Sequence, residues 1–148
     1  MVTIRHYQDH WALQGRENTR NLWDGDVAPD PRLPRAAQRF WRQVHFPPRC
    51  NGGVVARDHS EIIGICRYEI VSDAPRCRGQ VILEMAGTWI ARQYRRDGLA
   101  TRMWRLIFRK LPKDTKVHCV VATWSGARFV TRLAQQYPHL HFQVSHGY

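Results

Sequence analysis

The stretch that decides the fold is WIARQYRRDGLA, from Trp89 to Ala100. It lies between a strongly apolar run at 81–90 and a helical pattern that follows it. Gly98 stands at this junction, where a backbone without a side chain can approach a ligand closely. The start of the following helix offers unpaired N–H groups and the positive end of the helix dipole. Such a junction, preceded by Arg95 and Arg96, is suited to hold a pyrophosphate.

The segments around this junction predict a strand–helix–strand unit. The run VILEMAGTWI at 81–90 is apolar enough to predict a strand buried on both faces. A helix is predicted over 97–111, and Pro112 would end it. Its apolar residues recur at helical spacing: Ala100, Met103, Trp104, Ile107, Phe108 and Leu111. KVHCVVAT at 116–123 predicts the next strand, which should run parallel to the first.

The remaining segments complete a mixed α/β domain, for which we expect one unit over 1–148. A first strand is predicted at Val2 to Tyr7, and a hairpin of strands at 53–57 and 62–71 is joined by a turn at 58–60. Other predicted segments are helices at 9–21 and 35–44, loops at 22–34 and 72–79, a helix at 125–137 with Ser125 as its N-cap, and a last strand at 140–144.

The stretch from Trp89 to Ala100 resembles the signature of the GNAT acetyltransferases, in which a strand ends in V-x-P-x-Y and continues into (R/Q)-x-x-G-x-(G/A). Ile90 stands at the signature valine, and Arg92 replaces its frequent proline. Arg95 and Gly98 match directly, and Ala100 is an accepted substitute for glycine. The resemblance covers about residues 53–144. It implies a GNAT-like fold with a mixed central sheet and a central strand–helix–strand CoA-binding unit.

The resemblance implies acetyl-CoA, or another acyl-CoA, as the cosubstrate and an amine as the acceptor. The backbone of Ile90 and Arg92 would hold the pantetheine arm. The pyrophosphate would lie on the backbone N–H groups of these residues: Arg95, Arg96, Asp97, Gly98, Leu99, Ala100 and Thr101. The simpler alternative for the loop is a strand-to-helix turn that contains a glycine.

Glu84 is the candidate general base, because an amine that arrives as ammonium must lose a proton before it attacks a thioester. It lies within an apolar strand, and its position resembles that of the catalytic glutamate in the histone-acetylating branch of the family. Strand alternation predicts a face shared by Ile82, Glu84, Ala86, Thr88 and Ile90. The alternative is a structural carboxylate paired with an arginine.

The general acid is not assigned by the sequence. In the family a tyrosine on the helix after the fifth strand often returns a proton to the thiolate, whereas Val130 or Thr131 stands at that position here. Ser125 or water could serve instead. His118 is interpreted as a structural residue of its strand. The chain ends soon after the last helix, so the acceptor groove would be open or completed by a second subunit as a homodimer.

The formal net charge is +11, and 20 of the 23 basic residues are arginines. Arginine makes forked contacts with phosphates and carboxylates, so an acidic protein or a nucleic acid would suit this surface, and the alternative is a solvated basic face. A GNAT-fold protein that binds a partner without turnover and a nucleic-acid-modifying enzyme therefore stay open as alternatives to the N-acetyltransferase.

The four cysteines are isolated in the sequence, at positions 50, 66, 77 and 119. Their spacing favours reduced thiols and predicts no metal site. No apolar run is long enough for a membrane span, and the N-terminal residues lack the apolar core of a signal peptide. A cytoplasmic location without membrane contact is the expectation.

Overall fold

In the computed structural model of the chain, the structure describes residues 1–7, 35, 52–71 and 81–147. Apart from Arg35, which is helical, the helices predicted at 9–21 and 35–44 and the loops predicted at 22–34 and 72–79 lie outside the described residues. None of the helices in these described parts is long and apolar enough to cross a membrane.

The described strands form one six-stranded sheet in chain order. The strands are β1 (Val2–Tyr7), β2 (Gly52–Asp58), β3 (Glu61–Val71), β4 (Ile82–Ile90), β5 (Lys116–Val121) and β6 (His141–His146). Strands β1 to β4 pair antiparallel with their neighbours. The pairs β4–β5 and β5–β6 are parallel. The predicted hairpin and the predicted parallel pair are both confirmed.

Two helices supply the parallel crossovers. Helix α1 (Leu99–Phe108) joins β4 to β5, and helix α2 (Trp124–Gln136) joins β5 to β6. Both crossovers progress in the same direction along the sheet, and the side chains of both helices pack on one side of it. We call this side the helical face, and because no described helix packs on the other side of β4–β6, we call that side the open face.

Helix α1 is shorter than predicted, because Gly98 has a φ of 75° and therefore cannot belong to the right-handed helix that follows. The predicted apolar face of this helix is confirmed, since Met103, Trp104, Ile107 and Phe108 are buried. Leu99 joins this buried group, whereas Ala100 and Leu111 are only half-buried.

Helix α2 begins one residue earlier than predicted, and its N-cap is Thr123 rather than Ser125. The Thr123 hydroxyl accepts a hydrogen bond from the backbone N–H of Gly126 at 3.0 Å. Thr123 is extended, as an N-cap must be, while Ser125 already lies in the first helical turn. The prediction that placed Ser125 at the cap is therefore wrong.

Strand β4 contains a β-bulge that changes which residues share a face. Arg67 pairs with Gly87 and Tyr68 pairs with Met85, so Ala86 is an extra residue in β4. The bulge inverts the alternation beyond it. Thr88 and Ile90 consequently lie on the helical face, where the indole N–H of Trp104 donates to the Thr88 hydroxyl at 2.9 Å.

The predicted common face of Glu84, Thr88 and Ile90 is therefore wrong, because a strict period of two does not survive an inserted residue. The prediction that β4 is buried on both faces is also wrong. Only Leu83 and Trp89 in this strand are buried, and the other seven residues are half-buried.

Candidate functional site

The sheet opens between β4 and β5, and this opening is the first component of the site. Their parallel pairing runs from Ile82–Lys116 to Met85–Cys119 and then stops. Strand β4 continues to Ile90 paired only with β3, while β5 continues to Val121 paired only with β6. The second half of β4 thus has an unpaired edge on its β5 side. The bulge at Ala86 lies where this separation begins, and bulges bend the strand that carries them.

The backbone of Ile90 points into this opening. Ala91, the next residue, donates its N–H to the Ile63 carbonyl on β3 at 2.8 Å. Because consecutive residues of a strand direct their amide groups to opposite sides, the N–H and C=O of Ile90 point away from β3. A ligand that enters the opening would meet these groups as a neighbouring strand does.

Arg95 already bonds to part of the unpaired edge of β4. Its Nε donates to the Ile90 carbonyl at 2.9 Å, and its backbone N–H donates to the Arg92 carbonyl at 3.3 Å. Ile90 and Arg92 are the two residues expected to hold a pantetheine arm. The carbonyl groups of both are therefore already engaged. Their N–H groups have no acceptor among the described residues, so these are the groups available to a ligand without rearrangement.

The loop between β4 and α1 is the second component. Within 81–147, the backbone N–H groups from Arg96 to Thr101 donate to no acceptor, since the first bond of the helix runs from Arg102 to Gly98. No side chain caps this helix end. Six unpaired N–H groups at the positive end of a ten-residue helix make a site for an anion.

Gly98 keeps this loop open. A Cβ built on Gly98 would meet no atom of the protein within 4 Å, so packing does not require a glycine here. Its φ of 75° does favour glycine, and the empty space beside it leaves the backbone accessible. Arg95, Arg96 and Asp97 are exposed around it. The Asp97 carboxylate has the wrong charge for an anion, so this residue can contribute only its N–H.

Other predicted cofactor residues differ in what they can offer. The side chain of Leu99 is buried in the core, so only its backbone faces a ligand. Ala100 and Thr101 are half-buried in the first turn of α1. Arg92 begins a short 3-10 turn that ends at Tyr94, and its side chain is exposed.

A row of polar residues crosses the open face beside the opening and forms the third component. In the pairing register, Glu84 of β4 lies between Glu69 of β3 and His118 of β5, and His118 is followed by Gln143 of β6. Glu84 is half-buried, and among the described residues it has no hydrogen bond or ion pair, including none with an arginine. We call these four residues the polar row.

Two buried nitrogen atoms on this side of the sheet have no hydrogen-bond partner among the described residues. They are Nε2 of His118 and Nε1 of Trp89, which lies on the same side of the sheet as Glu84. Buried polar atoms are nearly always paired in folded proteins, so orphaned ones point to a ligand or a role in chemistry. From the sequence His118 is interpreted as structural. The parallel register of β4 and β5, which is needed to place it beside Glu84, is not visible in the residues alone.

Ser125 is not brought to the polar row. It is exposed in the first turn of α2, on the helical side, with its hydroxyl 3.3 Å from that of Thr123. Thr131, one of the two positions where the family has a tyrosine, is also exposed, and its hydroxyl donates to the Ala127 carbonyl at 2.9 Å. Val130, the other such position, is buried.

Cys66 and Cys119 are free thiols. Burial raises the pKa of Cys119 to about 11, and burial raises the pKa of Cys66 further. Both are therefore protonated at neutral pH and are not nucleophiles.

Comparisons with known proteins agree with this geometry. A sequence profile of the acetyltransferase (GNAT) family matches residues 16–132. The fold is similar to that of a ribosomal-protein-alanine N-acetyltransferase from Brucella melitensis, with a TM-score of 0.53, 9% identity and 90% of each chain covered. It is also similar to glucosamine-6-phosphate N-acetyltransferase from Arabidopsis thaliana, with a TM-score of 0.54, 8% identity and 90% of each chain covered. A search of curated proteins gives no significant match.

Proposed function

The chain belongs to the acetyltransferase (GNAT) family, and from this premise we propose that it transfers an acetyl group from acetyl-CoA to an amine of a small molecule or protein. The observation that carries the proposal is the coincidence of three features. The opening between β4 and β5 begins beside the polar row at Met85 and extends along β4 to Ile90, and the loop with the unpaired N–H groups from Arg96 to Thr101 follows there.

In this proposal residues 95–101, which we call the cofactor loop, hold the pyrophosphate of acetyl-CoA on their backbone N–H groups. The pantetheine arm follows the open edge of β4 and uses the N–H groups of Ile90 and Arg92, which have no acceptor among the described residues. Arg95, which holds the Ile90 carbonyl, keeps the loop folded onto the end of the strand. The thioester then lies near the point of separation at Met85, one residue beyond Glu84 in the sequence.

The acceptor amine approaches from the open face. Glu84 takes a proton from the ammonium, directly or through one water, and His118 beside it can share that proton. The amine nitrogen attacks the acetyl carbonyl carbon, a C–N bond forms and the C–S bond breaks. The departing thiolate takes a proton from a general acid, for which Ser125 or water stays the proposal.

The experiment is to measure turnover by Glu84→Gln and His118→Gln across pH 6 to 10 with a set of primary amines. General-base catalysis contributes about 10²–10⁴ in rate, so Glu84→Gln should lower kcat by that order near neutral pH and leave CoA affinity unchanged. The loss should shrink at high pH, where more of the amine is already neutral. His118→Gln should lower kcat less, since the carboxylate is still present.

Glu61→Gln is the matched control, because it removes the same charge from an exposed position of β3 outside the polar row. It should retain most of the activity. Unchanged activity of Glu84→Gln would contradict its role as the base. Loss of CoA binding in this variant would make Glu84 a structural residue. Absence of turnover by the wild type, with CoA bound, would favour the binding protein without turnover.

A further inference from the structure

The cofactor loop is attached to the rest of the fold on its two sides. On the C-terminal side, Leu99 begins α1 with its side chain buried in the core. On the N-terminal side, the 3-10 turn Arg92–Tyr94 leads into the loop from β4. Residues 95–98, between these two attachments, are all exposed. The positions of the unpaired N–H groups therefore depend on how firmly the two sides are held.

Tyr94 is the side chain that holds the N-terminal side. Its ring is half-buried and packs against the hydrophobic core. Its hydroxyl donates a hydrogen bond to Oδ2 of Asp58, which lies 36 residues earlier in the chain. Asp58 is the last residue of β2, so the bond connects the cofactor loop to the hairpin of β2 and β3. We call this bond the Asp58–Tyr94 latch.

The carboxylate of Asp58 is itself held in place, which makes it a fixed point for the loop. Its other oxygen, Oδ1, accepts a hydrogen bond from the His59 ring at 2.9 Å and another from the amino group of Met1 at 3.2 Å. Hydrogen bonds to an ionised acceptor are about twice as strong as those between neutral groups. The two oxygens thus have separate tasks, since Oδ2 bonds to the side chain that precedes the cofactor loop and Oδ1 bonds to residues outside it.

We propose that Tyr94 and Asp58 are positioning residues, whose hydrogen bond holds the cofactor loop in the conformation that binds the pyrophosphate of acetyl-CoA. This inference rests on the proposed function. Both residues act through the loop rather than on the reacting atoms. When only the latched loop binds, the apparent affinity equals the intrinsic affinity multiplied by the latched fraction. The latch therefore governs the binding of acetyl-CoA and leaves the rate of acetyl transfer in the bound complex unchanged.

The experiment is to measure CoA affinity by calorimetry together with KM for acetyl-CoA and kcat. Tyr94→Phe keeps the packed ring and removes only the hydroxyl. It should raise Kd for CoA and KM about tenfold, the scale of a hydrogen bond to a charged group, while kcat at saturating acetyl-CoA stays the same. Asp58→Ala should also weaken binding, although the loss of a negative charge would by itself favour an anion. The double variant should bind no more weakly than Asp58→Ala.

His59→Gly is the matched control, because it removes a donor from Oδ1 and leaves the bond from Tyr94 to Oδ2. The φ of 55° at His59 is a conformation that glycine adopts without strain. This variant should bind CoA as the wild type does. Unchanged affinity in Tyr94→Phe, tighter binding by Asp58→Ala, or equal weakening by His59→Gly would overturn the inference.

Limited digestion with trypsin tests the latch without CoA, since Arg95 and Arg96 are exposed cleavage sites in the cofactor loop. Tyr94→Phe should be cut there about tenfold faster than His59→Gly, because cleavage follows the population of the open loop. Cleavage after Arg128 in α2 should not change. Faster cutting with unchanged CoA affinity would overturn the inference alone, whereas a wild type that binds no CoA would overturn the proposed function as well.

Discussion

Two left-handed residues shape the cofactor loop at the scale of single residues. Arg96 has a φ of 71° and Gly98 a φ of 75°. A left-handed conformation costs an arginine about 1–2 kcal/mol and costs a glycine almost nothing. Together the two residues turn the chain sharply between Tyr94 and Leu99, which exposes consecutive N–H groups. Strain of this kind is found where a loop is shaped for a ligand.

Gly98→Glu should lower CoA affinity at least tenfold, because its carboxylate would occupy the anion site by both bulk and charge. Isothermal titration calorimetry with CoA measures this. Gln93→Glu, also exposed, adds the same charge outside the loop and should bind CoA nearly as the wild type does. Equal affinity of Gly98→Glu and the wild type would remove the pyrophosphate from residues 95–101.

His6 is a half-buried titratable residue on β1. Burial, and then the positive charges of Lys110 and Arg109, lower the pKa of His6 from 6.5 to about 4. One ring nitrogen, Nε2, shares a hydrogen bond with the Tyr68 hydroxyl at 2.9 Å. The positive charges just beyond the C-terminal end of α1 thus help to lower the pKa of a side chain on β1.

Because the unfolded chain binds a proton at His6 more readily than the folded one, stability is full above pH 6.5 and falls as the pH drops toward 4. The free energy of unfolding should decrease by about 1 kcal/mol from pH 7.5 to pH 5 through this residue, a value discounted for its partial exposure. His6→Gln can keep a hydrogen bond to Tyr68, but it has no group that titrates in this range. Its free energy of unfolding should therefore lack this decrease between pH 7.5 and pH 5. Urea titrations at both pH values give the difference, and identical pH dependence in the two proteins would contradict the expectation.

Two elements, the β4 bulge and the α2 cap, decide where the polar side chains point. The bulge at Ala86 sends Thr88 to α1 and leaves Glu84 on the open face. Gly64, opposite Ile90, allows α1 to approach, since a Cβ there would lie 3.0 Å from Ile90 and 3.1 Å from Met103. The bulge and this close contact fix the distance between the strand and the helix that frame the cofactor loop.

The cap of α2 gives a test that separates two neighbouring hydroxyls. Thr123→Ala should destabilise the fold by about 1 kcal/mol, the usual contribution of an N-cap. Ser125→Ala should change stability by less than about 0.5 kcal/mol, as is usual at exposed positions. Urea unfolding of both variants provides the comparison. A larger loss in Ser125→Ala would reverse the assignment, and loss of turnover without loss of stability would support Ser125 as the general acid.

Across the whole molecule, Asp58 connects segments that are far apart in the sequence. Its carboxylate accepts hydrogen bonds from the Tyr94 hydroxyl, from the His59 ring at 2.9 Å and from the amino group of Met1 at 3.2 Å. Tyr94 directly precedes the cofactor loop, so the turn between β2 and β3 is tied to it. These contacts, with the Tyr94 bond the largest cause, lower the pKa of Asp58 to about 2.

Because the pKa of Asp58 is lower in the folded than in the unfolded chain, its ionised carboxylate stabilises the fold. This stabilisation is fully present above pH 3.8 and is lost as the pH falls toward 2. Tyr94→Phe removes the main partner, so the pKa of Asp58 should rise from about 2 toward 3.8. The acid unfolding midpoint should rise with it. NMR titration of the carboxyl carbon measures the pKa, and Asp58→Asn identifies the signal. An unchanged pKa in Tyr94→Phe would show that this hydroxyl does not hold the carboxylate.

Much of the fold around the candidate site could be predicted from the residues because it depends on local rules. A glycine between a strand and a strongly periodic helix predicts the cofactor loop, and the apolar runs predict the parallel pair. Alternation could not predict the bulge, because Ala86 is an ordinary strand residue and its insertion is decided by pairing with Arg67 and Tyr68. The N-cap was predicted two residues late, since Thr123 and Ser125 are both good capping residues.

For the described residues, the sequence by itself determined the strands, the helices α1 and α2 and the loop between β4 and α1, because each follows from the periodicity and backbone preferences of nearby residues. Only the tertiary structure decided that β4 and β5 separate after Met85 and that Glu84 and His118 lie side by side. Both features depend on strand register, which is set by contacts between residues distant along the chain.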